Sequence, residues 1–144
     1  MDKLKPGIVV AFRERKLRCT PQRYAVLDYV MRHPVHATAE QVYRAVNRTD
    51  PRASRATVYN NLHVLTEAGL VREVRLEGRS VRFDANTGRH HHFVCERCAR
   101  VEDIGWFDVP QLMRRSQLGS RVVRNYEMVF RGTCENCSSD SIKQ

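Results

Sequence analysis

Apolar positions along this chain fall first into four helical stripes, then into two sets of alternating segments. Residues 7–18 suit a short amphipathic helix with a basic end. Thr20 and Pro21 mark a second helix start, the Thr as N-cap and the Pro in the first turn. Tyr24, Leu27, Val30 and Met31 then recur at helical spacing until His33 and Pro34 stop the run. Thr38 through Gln41 predict a capping box opening a third helix, with Val42, Ala45 and Val46 inward. Ser54 caps a fourth, whose buried stripe is Val58, Leu62 and Leu65 and whose end is Gly69. Residues 70–76 and 80–84 alternate around a turn at Glu77, Gly78 and Arg79, which predicts a β-hairpin.

Helices followed by a hairpin give the order of a winged helix-turn-helix, with the fourth helix in the major groove and the hairpin as wing. Residues 84–89 are polar and contain a glycine, so they form the best joint. Beyond the joint, residues 91–95 and 100–106 read as strands around a Cys-x-x-Cys turn. Residues 108–118 suit a helix, with Asp108 as cap and Pro110 in the first turn. From 121 to 131, Val122, Tyr126, Met128 and Phe130 share a face with Arg124, the pattern of a half-buried strand. The expected fold class is α+β: a winged-helix domain over 1–83, a hinge over 84–89, and an α/β domain over 90–144.

Charge sharpens this division. Of the net charge of +9, residues 1–83 hold 16 Lys/Arg against 8 Asp/Glu, whereas 84–144 hold 9 against 8. A basic half beside a near-neutral half suggests a module for a polyanion joined to one with another task. No run approaches the ~18 apolar residues of a membrane span. No long apolar run follows the first lysines, so a cytoplasmic protein with no membrane partner is expected. There, five cysteines are read as ligands or thiols before disulfides.

Cys95-x-x-Cys98 and Cys134-x-x-Cys137 carry the strongest chemical signal. Zinc takes thiolates in a tetrahedron, and two intervening residues let one turn present both sulfurs to one ion. Two such turns complete a structural Cys₄ site that ties the end of the domain to its start. The competing reading is two separate redox pairs. Cys19 has no partner in sequence and reads as a packing residue. In His90-His91-His92, an extended backbone sends His90 and His92 to one side and His91 to the other. With Asp84, Asp103 and His36, these residues offer N and O donors suited to Fe(II), Mn(II) or Zn(II). Spacing alone leaves a metal site and a solvated histidine run equally open.

The chain resembles the ferric uptake regulator superfamily, and within it the peroxide-sensing repressor branch. The resemblance rests on residues 20–23 (TPQR), 56–62 (ATVYNNL), 67–71 (EAGLV), 82–84 (RFD), 90–92, 95–98, Asp103 and 134–137. It implies a C-terminal dimerisation domain, a homodimer, and structural Zn(2+) on Cys95, Cys98, Cys134 and Cys137. It also implies a regulatory Fe(2+) or Mn(2+) on His36, Asp84, His90, His92 and Asp103. Asp84 and Asp103 favour the peroxide branch, since iron sensors tend to carry a longer glutamate at one or both. His91 departs from the residue more usual between the two ligands. By the same resemblance, His36 and His90 are the expected targets of iron-catalysed oxidation, which would release the metal and end repression at a palindromic DNA operator. Tyr59 and Asn60 are the expected base contacts, and Arg18 resembles a residue that enters the minor groove. The competing role for Tyr59 is packing against the first helix. Arg13, Arg15, Arg23 and Arg55 read as phosphate clamps or solvated charge. The alternative within the family is an iron- or zinc-concentration sensor without peroxide chemistry. Five ligands leave little open coordination for an oxygenase, so the chain is not expected to be an enzyme.

Overall fold

The computed structural model describes residues 4–33, 36–76, 80–110 and 118–142, and divides into two compact units, Met1–Thr87 and Gly88–Gln144.

In the first unit the order is α1 (Pro6–Glu14), α2 (Pro21–Arg32), β1 (Ala37–Thr38), α3 (Ala39–Thr49), α4 (Arg55–Glu67), β2 (Arg72–Val74) and β3 (Arg82–Asp84). The caps fall where their residue types predict. The Thr20 hydroxyl accepts from Arg23 N–H and the Ser54 hydroxyl from Thr57 N–H. Thr38 and Gln41 close a reciprocal capping box. Helix α4 ends in a Schellman motif: Leu70 N–H donates to the Leu65 carbonyl and Gly69 N–H to that of Thr66. Gly69 has φ +71°, the left-handed value that a side chain would strain.

Ile8, Phe12, Val26, Leu27, Val30, Val42, Val46, Val58, Leu62, Leu65 and Phe83 form the core. Burying one side chain the size of Leu62 contributes about 2 kcal/mol. Met31, expected in this core, is 55% exposed. The stripe of α2 is centred on Val26, Leu27 and Val30, and Met31 lies about a quarter turn beyond it. Strands β2 and β3 pair antiparallel as the predicted hairpin, with Glu73 opposite Phe83. Its turn, 77–79, lies outside the described residues. The two-residue strand β1 was not predicted. It pairs with β3 at Ala37–Phe83 and Thr38–Arg82.

In the second unit β4 (His90–Cys95), β5 (Val101–Gly105) and β6 (Val129–Gly132) form a sheet of order β5-β4-β6, followed by α5 (Glu135–Ile142). Strand β5 is antiparallel to β4 and β6 is parallel to it. The helix expected over 108–118 falls mostly on residues outside those described. The strand expected over 121–131 is confined to β6, and Val122 is 83% exposed. Register explains the difference. His92 faces Val129 in a parallel ladder, so residues well before 129 run past the start of β4.

Candidate metal centres and DNA-facing helix

Short strands bring the thiols together. Cys95 ends β4, Cys98 closes the turn after it, and Cys134 and Cys137 flank the start of α5. Ala99 completes the turn at φ +63°. None of the four cysteines forms a disulfide, and their sulfurs lie within 4.8 Å of one another. Cys98 Sγ and Cys134 Sγ are 3.8 Å apart. A zinc–thiolate tetrahedron has an edge of about 3.8 Å, so the sulfurs fit that ion and are too far apart for a disulfide.

Backbone amides favour the thiolate at Cys95. The Cys98 amide is the main one, joined by the Cys134 N–H at 3.4 Å, and the thiol is held down at about 6. Cys137 is pushed up to about 12, because a hydrogen bond to Cys134 holds its proton and burial adds to the effect. A dication among these sulfurs would relieve that conflict. Cys19 packs at the edge of the first unit's core, where burial raises its thiol.

The histidine triplet divides as its alternation predicts. His90 and His92 are buried, with Nε2 atoms 3.1 Å apart. Antiparallel pairing sets His92 opposite Asp103, whose Oδ1 lies 3.3 Å from His90 Nε2 and 4.0 Å from His92 Nε2. His90 Nδ1 donates to the Gly88 carbonyl at 2.7 Å. A carbonyl can only accept, so in the neutral imidazole the lone pair lies on Nε2, facing His92 and Asp103. Two imidazole nitrogens bound at right angles on one ion stand roughly 3 Å apart, so the donor set fits a divalent first-row metal.

His91 points the other way. Its Nε2 donates to the Phe107 carbonyl at 3.0 Å and its Nδ1 accepts from Met128 N–H at 3.0 Å. Its ring stacks on Trp106 at 4.5 Å and meets Phe107 edge-on at 4.6 Å. With both nitrogens occupied, His91 is a core residue of the second unit.

In the first unit, the β1–β3 ladder delivers His36 to Asp84. His36 precedes β1 and Asp84 ends β3. The Arg82 guanidinium donates to the His36 carbonyl at 2.7 Å, and His36 Nε2 lies 3.7 Å from Asp84 Oδ2. Asp84 Oδ1 accepts from Asn86 N–H at 2.8 Å. Both side chains are buried.

Helix α4 turns Arg55, Ala56, Tyr59, Asn60, His63 and Glu67 outward. Tyr59 is 47% exposed, so it is not the packing residue that the competing reading made it. Asn61 faces inward and accepts from Arg23 Nε at 3.3 Å. Arg23 also donates to the Arg18 carbonyl, which ties α2 to the segment carrying Arg18. The Arg15 guanidinium donates to the Ala68 carbonyl. Arg13 and Arg18 are exposed. Among the described residues, no helix is long and apolar enough to cross a membrane.

A model of the ferric uptake regulator family matches residues 14–127. The peroxide-responsive repressor PerR of Staphylococcus epidermidis is 36% identical over 136 residues, 92% of this chain and 89% of the relative. Among solved structures, the Campylobacter jejuni peroxide stress regulator is 27% identical with a TM-score of 0.65, covering 94% of this chain and 99% of that one. The Helicobacter pylori ferric uptake regulator Fur shares the fold with a TM-score of 0.68 at 18% identity, over 96% of this chain and 97% of that one. The chain therefore belongs to the ferric uptake regulator family.

Proposed function

We propose that this protein is a metal-dependent, peroxide-responsive transcriptional repressor that binds a palindromic DNA operator as a homodimer. The observation that carries the reading is the His90–His92 pair. Its Nε2 atoms converge beside the Asp103 carboxylate, apart from the sulfur cluster. Relatives named peroxide-responsive repressor PerR, 36% identical over most of this chain, support the peroxide-responsive role.

Cys95, Cys98, Cys134 and Cys137 would hold a structural Zn(2+) with no open position. His90, His92 and Asp103 supply three donors from one unit, and His36 with Asp84 supply two from the other. Neither group alone fills a sphere of five or six. By the family resemblance, we assign all five to one regulatory Fe(2+) or Mn(2+), with residues 84–89 as the hinge. Joint ligation would fix the angle between the units, and so the spacing of the two α4 helices on DNA. Metal and DNA affinity are then linked reciprocally. Tyr59 and Asn60 would meet base edges, and Arg18 would enter the minor groove.

Bound Fe(2+) would supply one-electron reduction of peroxide beside its ligands. By resemblance to the peroxide-sensing branch, His36 and His90 would take up oxygen and lose donor strength. The protein's own role is regulatory rather than enzymatic.

The test is DNA binding with Fe(II), Mn(II) or Zn(II), each with and without peroxide, under anaerobic conditions. Loss of binding only in the Fe(II) sample after peroxide supports the proposal. Unchanged binding in every peroxide arm makes the protein a metal-concentration sensor.

A further inference from the structure

Arg55 is the first residue of α4, one turn before Tyr59. In a basic DNA-binding unit such an arginine is expected to meet phosphate, but here it already has partners. Its Nε lies 3.1 Å from Glu40 Oε2 and its Nη2 lies 3.1 Å from Glu40 Oε1. This is the bidentate fork that a lysine cannot reproduce. The guanidinium also sits 4.4 Å over the Tyr43 ring. Glu40 receives a further bond from Arg44 at 3.3 Å, and Arg55 lowers the pKa of the Glu40 carboxyl. Glu40 and Tyr43 occupy successive turns of α3, so the start of α4 is fastened to the start of α3. The turn between them is also fixed: Asn47 donates to the Ala53 carbonyl at 2.9 Å, and Ala53 N–H to that of Asp50 at 3.0 Å.

We propose that Glu40 and Arg55 are positioning residues for DNA recognition, a clamp that aims α4, and that Arg55 is not a phosphate contact. The inference rests on the DNA-binding reading above. An exposed single ion pair contributes little, but a forked pair stacked on an aromatic ring and shared with Arg44 is a network. Its effect falls on the orientation of Tyr59 and Asn60.

The experiment uses the full-length Mn(II)-loaded protein and a duplex that it selects from a random-sequence pool. Affinity is measured across salt concentrations for wild type, Glu40→Gln, Arg55→Met, Arg55→Lys and the Glu40→Gln/Arg55→Met double variant. Thermal melting checks that each variant is folded. A clamp predicts that each single variant, Arg55→Lys included, weakens binding about threefold to fivefold. It predicts that the double variant is no weaker than either single one, and that the salt slope is unchanged. A phosphate contact predicts the reverse: Glu40→Gln tightens binding, Arg55→Lys retains it, and Arg55→Met lowers the salt slope by about one. That pattern, or variants indistinguishable from wild type, overturns the inference. Failure of the wild type to select any duplex sinks the DNA-binding reading instead.

Discussion

His90 and His92 stand on one face of β4 with their Nε2 atoms 3.1 Å apart, while the residue between them contributes its ring to the opposite face. Strand alternation thus converts a histidine triplet into two donors and one core residue. The two roles separate under mutation.

His91→Phe keeps the ring contacts with Trp106 and Phe107 but strands the Phe107 carbonyl and the Met128 amide. The expected cost is about 2 kcal/mol of stability, with Mn(II) stoichiometry intact. Chemical denaturation and a metal titration check both halves. His92→Ala should do the opposite and abolish Mn(II) binding.

Asp103 and His92 are register partners on neighbouring strands, and the Asp103 carboxylate is partly exposed. Asp103→Asn removes a charge and keeps the shape. Mn(II) affinity should fall at least tenfold while the structural zinc content stays constant. Equilibrium dialysis with elemental analysis reads both ions.

Zinc retention should follow the Cys95 thiol. Its folded value of about 6 lies below the ordinary thiol range, so the associated stabilisation is complete above that range. It is lost as pH falls through about 6, and bound zinc pushes the loss lower still. Zinc release monitored with a chromogenic chelator should therefore have a midpoint below pH 6. Cys98→Ser should release zinc at neutral pH and lower the melting temperature.

Asn60→Ala should cost about 1–3 kcal/mol of discrimination between the selected duplex and a scrambled one. Arg18→Gln should weaken both duplexes alike and lower the salt slope by about one. Competition binding at several salt concentrations distinguishes the two effects.

Much of this was legible in residue types. The caps at Thr20, Thr38 and Ser54 and the turn at Gly69 act through local chemistry, which a sequence displays directly. The Cys-x-x-Cys pairs and the alternation of 90–92 are local as well. What escaped is non-local. Strand β1 has two residues, too few for any period, yet its pairing with β3 carries His36 to Asp84. The extent of β6 depends on where β4 begins, which residues 121–131 do not encode. The partnership of Arg55 with Glu40 spans 15 positions, and from sequence Arg55 reads as a phosphate clamp or solvated charge.

If one ion is shared by ligands from both units, oxygen insertion should mark its neighbours in each. The Fe(II) protein is treated anaerobically with one equivalent of peroxide, digested, and analysed by tandem mass spectrometry. One-oxygen gains are expected on the peptides carrying His36 and His90, and none in the Mn(II) protein. Oxidation confined to His90, with His36 unmodified while the iron is bound, would contradict it.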